Sequence, residues 1–257
     1  MAYSTKATLT SNMEALNSYY DGTVDALQNS VFVSNKAVSN DTFTFSEVKK
    51  HPDKASFIEA MIAEVNDHEE RNHWELMDRS LMPKGHRTIM SIWSFKIKRY
   101  PDGRIMKYKA RLCAHGGQQK LGINYWETYS PVVNWISVRL LLTVCCVLGL
   151  ESQSIDFVLA FPQAELEEEI YMELPAGFEA QGADCSQVLK LKKNLYGLKQ
   201  ASANWYEMIK GGLERRKFTP SIIDPCVFYK KDMIVLLYVD DMIVVSKREE
   251  DINKLIK

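Results

Sequence analysis

Met233-Ile234-Val235-Leu236-Leu237-Tyr238-Val239-Asp240-Asp241-Met242-Ile243-Val244-Val245 sets two adjacent carboxylates between two runs of aliphatic, largely β-branched residues. Such runs have the composition of strands buried on both faces, and the acids between them predict a hairpin with Asp240 and Asp241 at its tip. Aspartate suits tight turns, so a solvated turn would by itself account for the pair. The flanks argue for more. Carboxylates fixed side by side on rigid strands repel each other, and a bound divalent cation is the usual means of keeping both ionised near neutral pH.

Working outward, Ser154 to Phe161 reads as a short strand with one acid, Asp156, among apolar neighbours. A buried aspartate without a partner is costly, so a cation, a backbone turn or a metal has to satisfy it, and a structural aspartate stays open. Asn134 predicts the cap of a helix that takes Ile136 through Val147 into the core and ends at Gly149. Leu191 to Gln200 leads into a helix over Ala201 to Arg216, with Trp205, Tyr206, Met208, Ile209 and Leu213 as its large apolar residues. Earlier, Phe57, Ile58, Met61, Ile62 and Val65 recur at one-face spacing, predicting an amphipathic helix from Asp53 to about Arg71. His68 and His73 lie five apart rather than four and read as two surface histidines. Residues 1–50 say least, beyond a short helix around Asn12 to Tyr20.

The 257 residues suit one large domain or two small ones, and 46% hydrophobic with 25% charged residues is the balance of a folded globular chain. The longest apolar run, Ile136 to Leu150, is too short to span a bilayer, and the N-terminus has no signal pattern, so neither membrane insertion nor secretion is expected. Five cysteines without C-x-x-C spacing read as reduced core thiols.

A net charge of −1 hides a segregation along the chain. Lys84 to Lys120 holds ten basic residues and one acid, whereas the interval between Arg139 and Lys190 holds nine acids and no base. Within the basic segment Pro101-Asp102-Gly103 predicts a turn between two pairing runs, Thr88 to Arg99 and Arg104 to Cys113. Period two places Lys107, Lys109 and Arg111 on one face, with Lys96 and Lys98 opposite. Cations arrayed on rigid strands suit phosphate oxygens, and a plainly solvated face remains the alternative.

Taken together the strings resemble the reverse transcriptase domain of copia-type long-terminal-repeat retrotransposons. They are Trp74-Glu75-Leu76, Phe95 to Arg99, Tyr108 to Leu112, Tyr129 to Val133, Ile155-Asp156-Phe157 with Ala160-Phe161, Leu166 to Met172, Pro175 to Phe178, Leu191 to Gln200, and Tyr238-Val239-Asp240-Asp241. A lone Y-x-D-D is a weak signal, but nine strings in family order are specific. Val158-Leu159, His115 and Ser202 depart from the usual pattern, and none of them is a carboxylate.

The resemblance implies an α/β (α+β) fold with the fingers and palm of a right-hand polymerase: an antiparallel palm sheet with packed helices and no thumb. It divides the chain into an N-terminal segment (1–50), a fingers-like region with the basic hairpin (51–135) and a palm left incomplete at its C-terminal end (136–257). It implies RNA-directed DNA polymerase activity, joining a dNTP to a primer 3′-hydroxyl on an RNA or DNA template, with a catalytically silent nucleic-acid-binding remnant as the rival. Asp156, Asp240 and Asp241 would be the catalytic triad. They would hold two Mg²⁺, or Mn²⁺, together with the Phe157 carbonyl. Lys98, Lys109, Arg111, Ala160, Phe161 and Gln200 would face the nucleotide, and Lys96, Lys107 and Tyr238 the nucleic acid. The expected setting is intracellular, in a cytoplasmic retrotransposon particle or the nucleus, away from membranes, with self-association through the unfinished palm.

Overall fold

A computed structural model describes residues 41–177 and 186–256; the expected helix around Asn12 to Tyr20 lies outside them. In chain order the elements are β1 (Thr42–Phe43), α1 (Phe45–Lys49), α2 (Lys54–Glu70), β2 (Trp74–Asp78), β3 (Thr88–Ile89), β4 (Ser91–Arg99), β5 (Ile105–Ala114), α3 (Trp135–Leu148), β6 (Glu151–Asp156), α4 (Ala160–Gln163), β7 (Tyr171–Met172), β8 (Gln187–Leu191), α5 (Ala201–Arg215), β9 (Thr219–Pro220), β10 (Val227–Lys230), β11 (Met233–Tyr238), β12 (Asp241–Ser246) and α6 (Glu249–Ile256). This is a mixed α/β chain whose sheets are antiparallel apart from the β3–β7 pair. The described residues form two compact units, one drawn from 41–124 with 166–177 and 186–198, the other from 125–165 and 199–256.

In the first unit, α2 lays Phe57, Ile58, Met61 and Val65 into the core, as their spacing predicts. Phe57 meets Phe95 of β4 edge-on at 5.6 Å and Tyr108 of β5 at 4.9 Å. The buried stripe continues to His68, which corrects the expectation of surface histidines: His68 is fully buried and His73 is 3% exposed. Position 68 follows 65 by three residues on the same helical face, so the apolar stripe carries the imidazole inward with it. Its Nδ1 lies 2.7 Å from Nδ1 of His73, and the ring stacks on Trp74. The three-stranded sheet orders β1-β4-β5, with β4 and β5 joined through the expected turn.

The second unit is built on a five-stranded sheet of order β6-β12-β11-β10-β9. Phe228, Val235, Leu236, Val244, Val245 and Ile252 of α6 fill its core. Helix α3 begins where Asn134 accepts a hydrogen bond from the Ile136 amide at 2.9 Å, and it ends at Gly149 in the left-handed region at φ 59°. It buries less than expected. Leu141 and Cys145 are buried, whereas Ile136, Leu140, Cys146, Val147 and Leu148 are exposed, because only one narrow stripe of a largely apolar helix packs into the core. The strand around Asp156 is also shorter than expected: it stops at Asp156, Leu159 turns through φ 50°, and Ala160 and Phe161 belong to helix α4.

Candidate active site

Strands β11 and β12 pair from Met233↔Ser246 to Tyr238↔Asp241, leaving Val239 and Asp240 as a two-residue connection. Such short connections need positive φ to match strand twist, and the first of the two positions ordinarily takes glycine. Here it is Val239, at φ 56°. A β-branched residue in that region is an outlier and persists only where its surroundings hold it. One of those surroundings is Trp205 of α5, whose indole N–H donates to the Val239 carbonyl at 2.7 Å.

On the other side of β12 lies β6, in a register that sets Asp241 directly opposite Asp156. The Phe157 amide donates to the Asp240 carbonyl at 3.2 Å, tying the end of β6 to the turn. Asp156 is exposed rather than buried, so it needs no structural partner; the strand ends there and releases the side chain to solvent. Burial raises the Asp241 carboxyl above its ordinary range, and the charges of Asp240 and Asp156 raise it further. Three acids from two strand ends and one turn therefore share a single electrostatic environment.

The donors suit a hard cation, being carboxylate oxygens whose mutual repulsion a divalent ion would relieve. Among the described residues no group of three or more His, Cys, Asp or Glu side chains, Asp156, Asp240 and Asp241 included, is placed to hold a metal ion by itself. That is compatible with magnesium, which is ordinarily held by one or two carboxylates, waters and substrate phosphates rather than by an all-protein cage.

The remaining expected residues of this unit lie in or next to α4, α5 and β11. Ala160 is fully buried and packs with Trp205 and Ala164, with Phe161 and Phe157 partly buried against them. Gln200, immediately before α5, is 2% exposed. Tyr238 is 38% exposed and its ring lies 6.0 Å from that of Trp135.

In the first unit the hairpin gathers the cations as its period predicts. Lys96 pairs with Lys109 and Lys98 with Lys107, so two like-charge pairs face each other across the ladder, and Arg111 follows beside Ser94. Burial lowers the Lys109 pKa, and Arg111, Lys98 and Lys107 lower it further against an opposing effect of Glu64. The Arg111 guanidinium lies 3.9 Å over the Tyr196 ring. Like charges placed directly opposite destabilise a sheet, so such an array suits an anionic ligand.

Trp205 is the residue that sequence reasoning missed, taken there as one more apolar position of a helix. The sequence carried only a general signal, that a buried indole normally finds an acceptor for its N–H, and nothing local named the Val239 carbonyl as that acceptor.

Residues 71–257 match the family model described as reverse transcriptase (RNA-dependent DNA polymerase). The chain belongs to that reverse transcriptase family. It is 40% identical over 217 residues to the retrovirus-related Pol polyprotein from transposon TNT 1-94 of Nicotiana tabacum, an alignment covering 82% of this chain and 16% of that protein. It is 36% identical over 190 residues to the Pol polyprotein from transposon RE1 of Arabidopsis thaliana, covering 72% and 13%. It is 32% identical over 200 residues to the truncated transposon Ty1-A Gag-Pol polyprotein of Saccharomyces cerevisiae, covering 76% and 16%. The chain thus spans about a sixth or less of the length of these copia-type relatives. No helix among its described residues is long and apolar enough to cross a membrane.

Proposed function

We propose that this chain carries the RNA-directed DNA polymerase centre of a copia-type retrotransposon, adding dNTPs to a primer 3′-hydroxyl on an RNA or DNA template. The observation that supports this most directly is the facing of Asp156 and Asp241 across one ladder, with Asp240 in the adjoining turn. In this reading 136–257 acts as the palm and 51–135 as the fingers, working in the cytoplasmic particle or the nucleus. Asp156 and Asp240, with Asp241 and the Phe157 carbonyl, would hold two Mg²⁺. When bound, those ions lower the pKa of the attacking hydroxyl and offset charge on the triphosphate and departing pyrophosphate.

The chain's own residues supply the positioning. Phe161, beside Ala160, would lie against the sugar of the incoming nucleotide and fill the space of a 2′-hydroxyl. Gln200 would contact that nucleotide, and Lys98 with Lys109 or Arg111 would grip its phosphates. Lys96, Lys107 and Tyr238 would meet the nucleic acid. A centre of carboxylates alone suits metal-assisted phosphoryl transfer better than hydrolysis by a buried acid–base pair, since Asp156 is exposed and the turn holds no histidine.

Primer extension on an RNA template with Mg²⁺, comparing parent with Asp240→Asn, tests the proposal. Incorporation by the parent that falls below a few per cent in the variant is expected. A variant that keeps wild-type incorporation removes Asp240 from the centre. A parent that binds primer-template without extending it marks a nucleic-acid-binding remnant.

A further inference from the structure

We infer that Trp205 is a positioning residue for the carboxylate centre, joining the two backbone segments that carry its acids through one indole ring. The inference rests on reading Asp156, Asp240 and Asp241 as the metal-binding acids. The ring's N–H holds the carbonyl of Val239, the residue before Asp240, at 2.7 Å. Its edge meets the ring of Phe157, the residue after Asp156, at a centroid distance of 5.0 Å and 74°. The same side chain is 1% exposed and packs against Ala160 and Ala164, so helix α4 is tied to it as well.

Packing alone does not explain the arrangement. Val239 occupies the left-handed region at φ 56°, where a β-branched side chain is strained and the turn is biased toward relaxing. Relaxation would rotate the peptide between Val239 and Asp240 and move the Asp240 carboxylate relative to Asp156. Trp205 and Val239 also border a cavity of about 200 Å³, so the turn is not packed on every side. The indole N–H supplies a directional restraint on this carbonyl. Trp205 touches no reacting group and acts through Val239 and Phe157.

The test replaces the N–H alone, by incorporating 3-benzothienylalanine at position 205 in the full chain, with Trp205→Phe as a genetically simpler companion. The readout is binding of Mn²⁺ alone, followed by the resonance of the free ion, with primer extension measured in parallel. Losing one hydrogen bond's worth of turn restraint should weaken Mn²⁺ about fivefold, with little change in the unfolding midpoint of the benzothienyl protein. In the V239G background, where the left-handed turn carries no strain, the same replacement should cost less than twofold. Unchanged affinity in the benzothienyl protein, or an equal loss in the V239G background, overturns the inference. Asp240→Asn separates the two levels. If it leaves Mn²⁺ affinity unaltered, the metal reading fails and the positioning role with it. If it abolishes binding while the benzothienyl protein binds like the parent, only the role of Trp205 fails.

Discussion

Asp241 of β12 and Asp156 of β6 are direct cross-strand partners, so two carboxylates that lie 85 positions apart in the sequence face each other on one ladder. Like charges in that relation destabilise a sheet, and the folded chain registers the cost as a raised Asp241 pKa, from burial first and then from Asp240 and Asp156.

The pH dependence follows from the direction of that shift. The folded state keeps the Asp241 proton above the pH at which the unfolded chain releases it, so this contribution to stability is present below the ordinary carboxylate range and is lost as pH rises through the raised value. Asp241→Asn should therefore raise the unfolding midpoint at pH 7 by about 1–3 °C, and the gain should vanish near pH 3. Thermal melts of both proteins across that range check it. A destabilised variant at pH 7 would mean that the two acids do not repel.

Acid should act on the first unit through the histidine pair. Burial, then the neighbouring His68, lowers the His73 pKa from 6.5 to about 4. A base with a depressed folded pKa contributes stability that is lost as pH falls through 6.5 toward 4, because the unfolded chain takes up the proton first. Between pH 7 and pH 5 the loss should be about 2 kcal/mol. Denaturant unfolding of the parent and His73→Gln at the two pH values measures it, with the variant expected to lose much less.

Neutralising Lys107, Lys109 and Arg111 together should weaken binding of primer-template and lower the slope of log affinity against log salt by about 2 to 3. Lys109→Gln alone should stabilise the hairpin slightly, because it removes a lysine facing Lys96 and crowded by Arg111, Lys98 and Lys107. Salt titrations and melts read the two effects separately. Equal slopes in parent and triple variant would mean that the face is merely solvated.

Phe161→Ala should relax discrimination against ribonucleotides by about tenfold or more, since the ring is proposed to fill the space of a 2′-hydroxyl. The ratio of incorporation efficiencies for dNTP and rNTP is the measurement. An unchanged ratio would make Phe161 a packing residue of the cluster around Trp205.

Much of the local structure was legible in the sequence because it depends on neighbours a few residues away. Alternating cations between apolar positions set the face of β5, Asn134 and Gly149 marked the ends of α3, and two β-branched runs around Asp240-Asp241 defined the hairpin. Composition also separated the basic segment from the acidic one, and ordered motifs were enough to place the chain in its family. Tertiary structure decided which distant residues meet. The register of β6 on β12 depends on hydrogen bonding between segments far apart in the chain, and it alone brings Asp156 opposite Asp241. His68 was drawn inward by a helix face whose partner strands lay elsewhere, and α3 was left largely exposed because only one stripe of it packs into the core. The left-handed Val239 belongs to the same class. No local propensity favours valine there, so its conformation is set by the two-residue span between paired strands and by an indole reaching its carbonyl from α5.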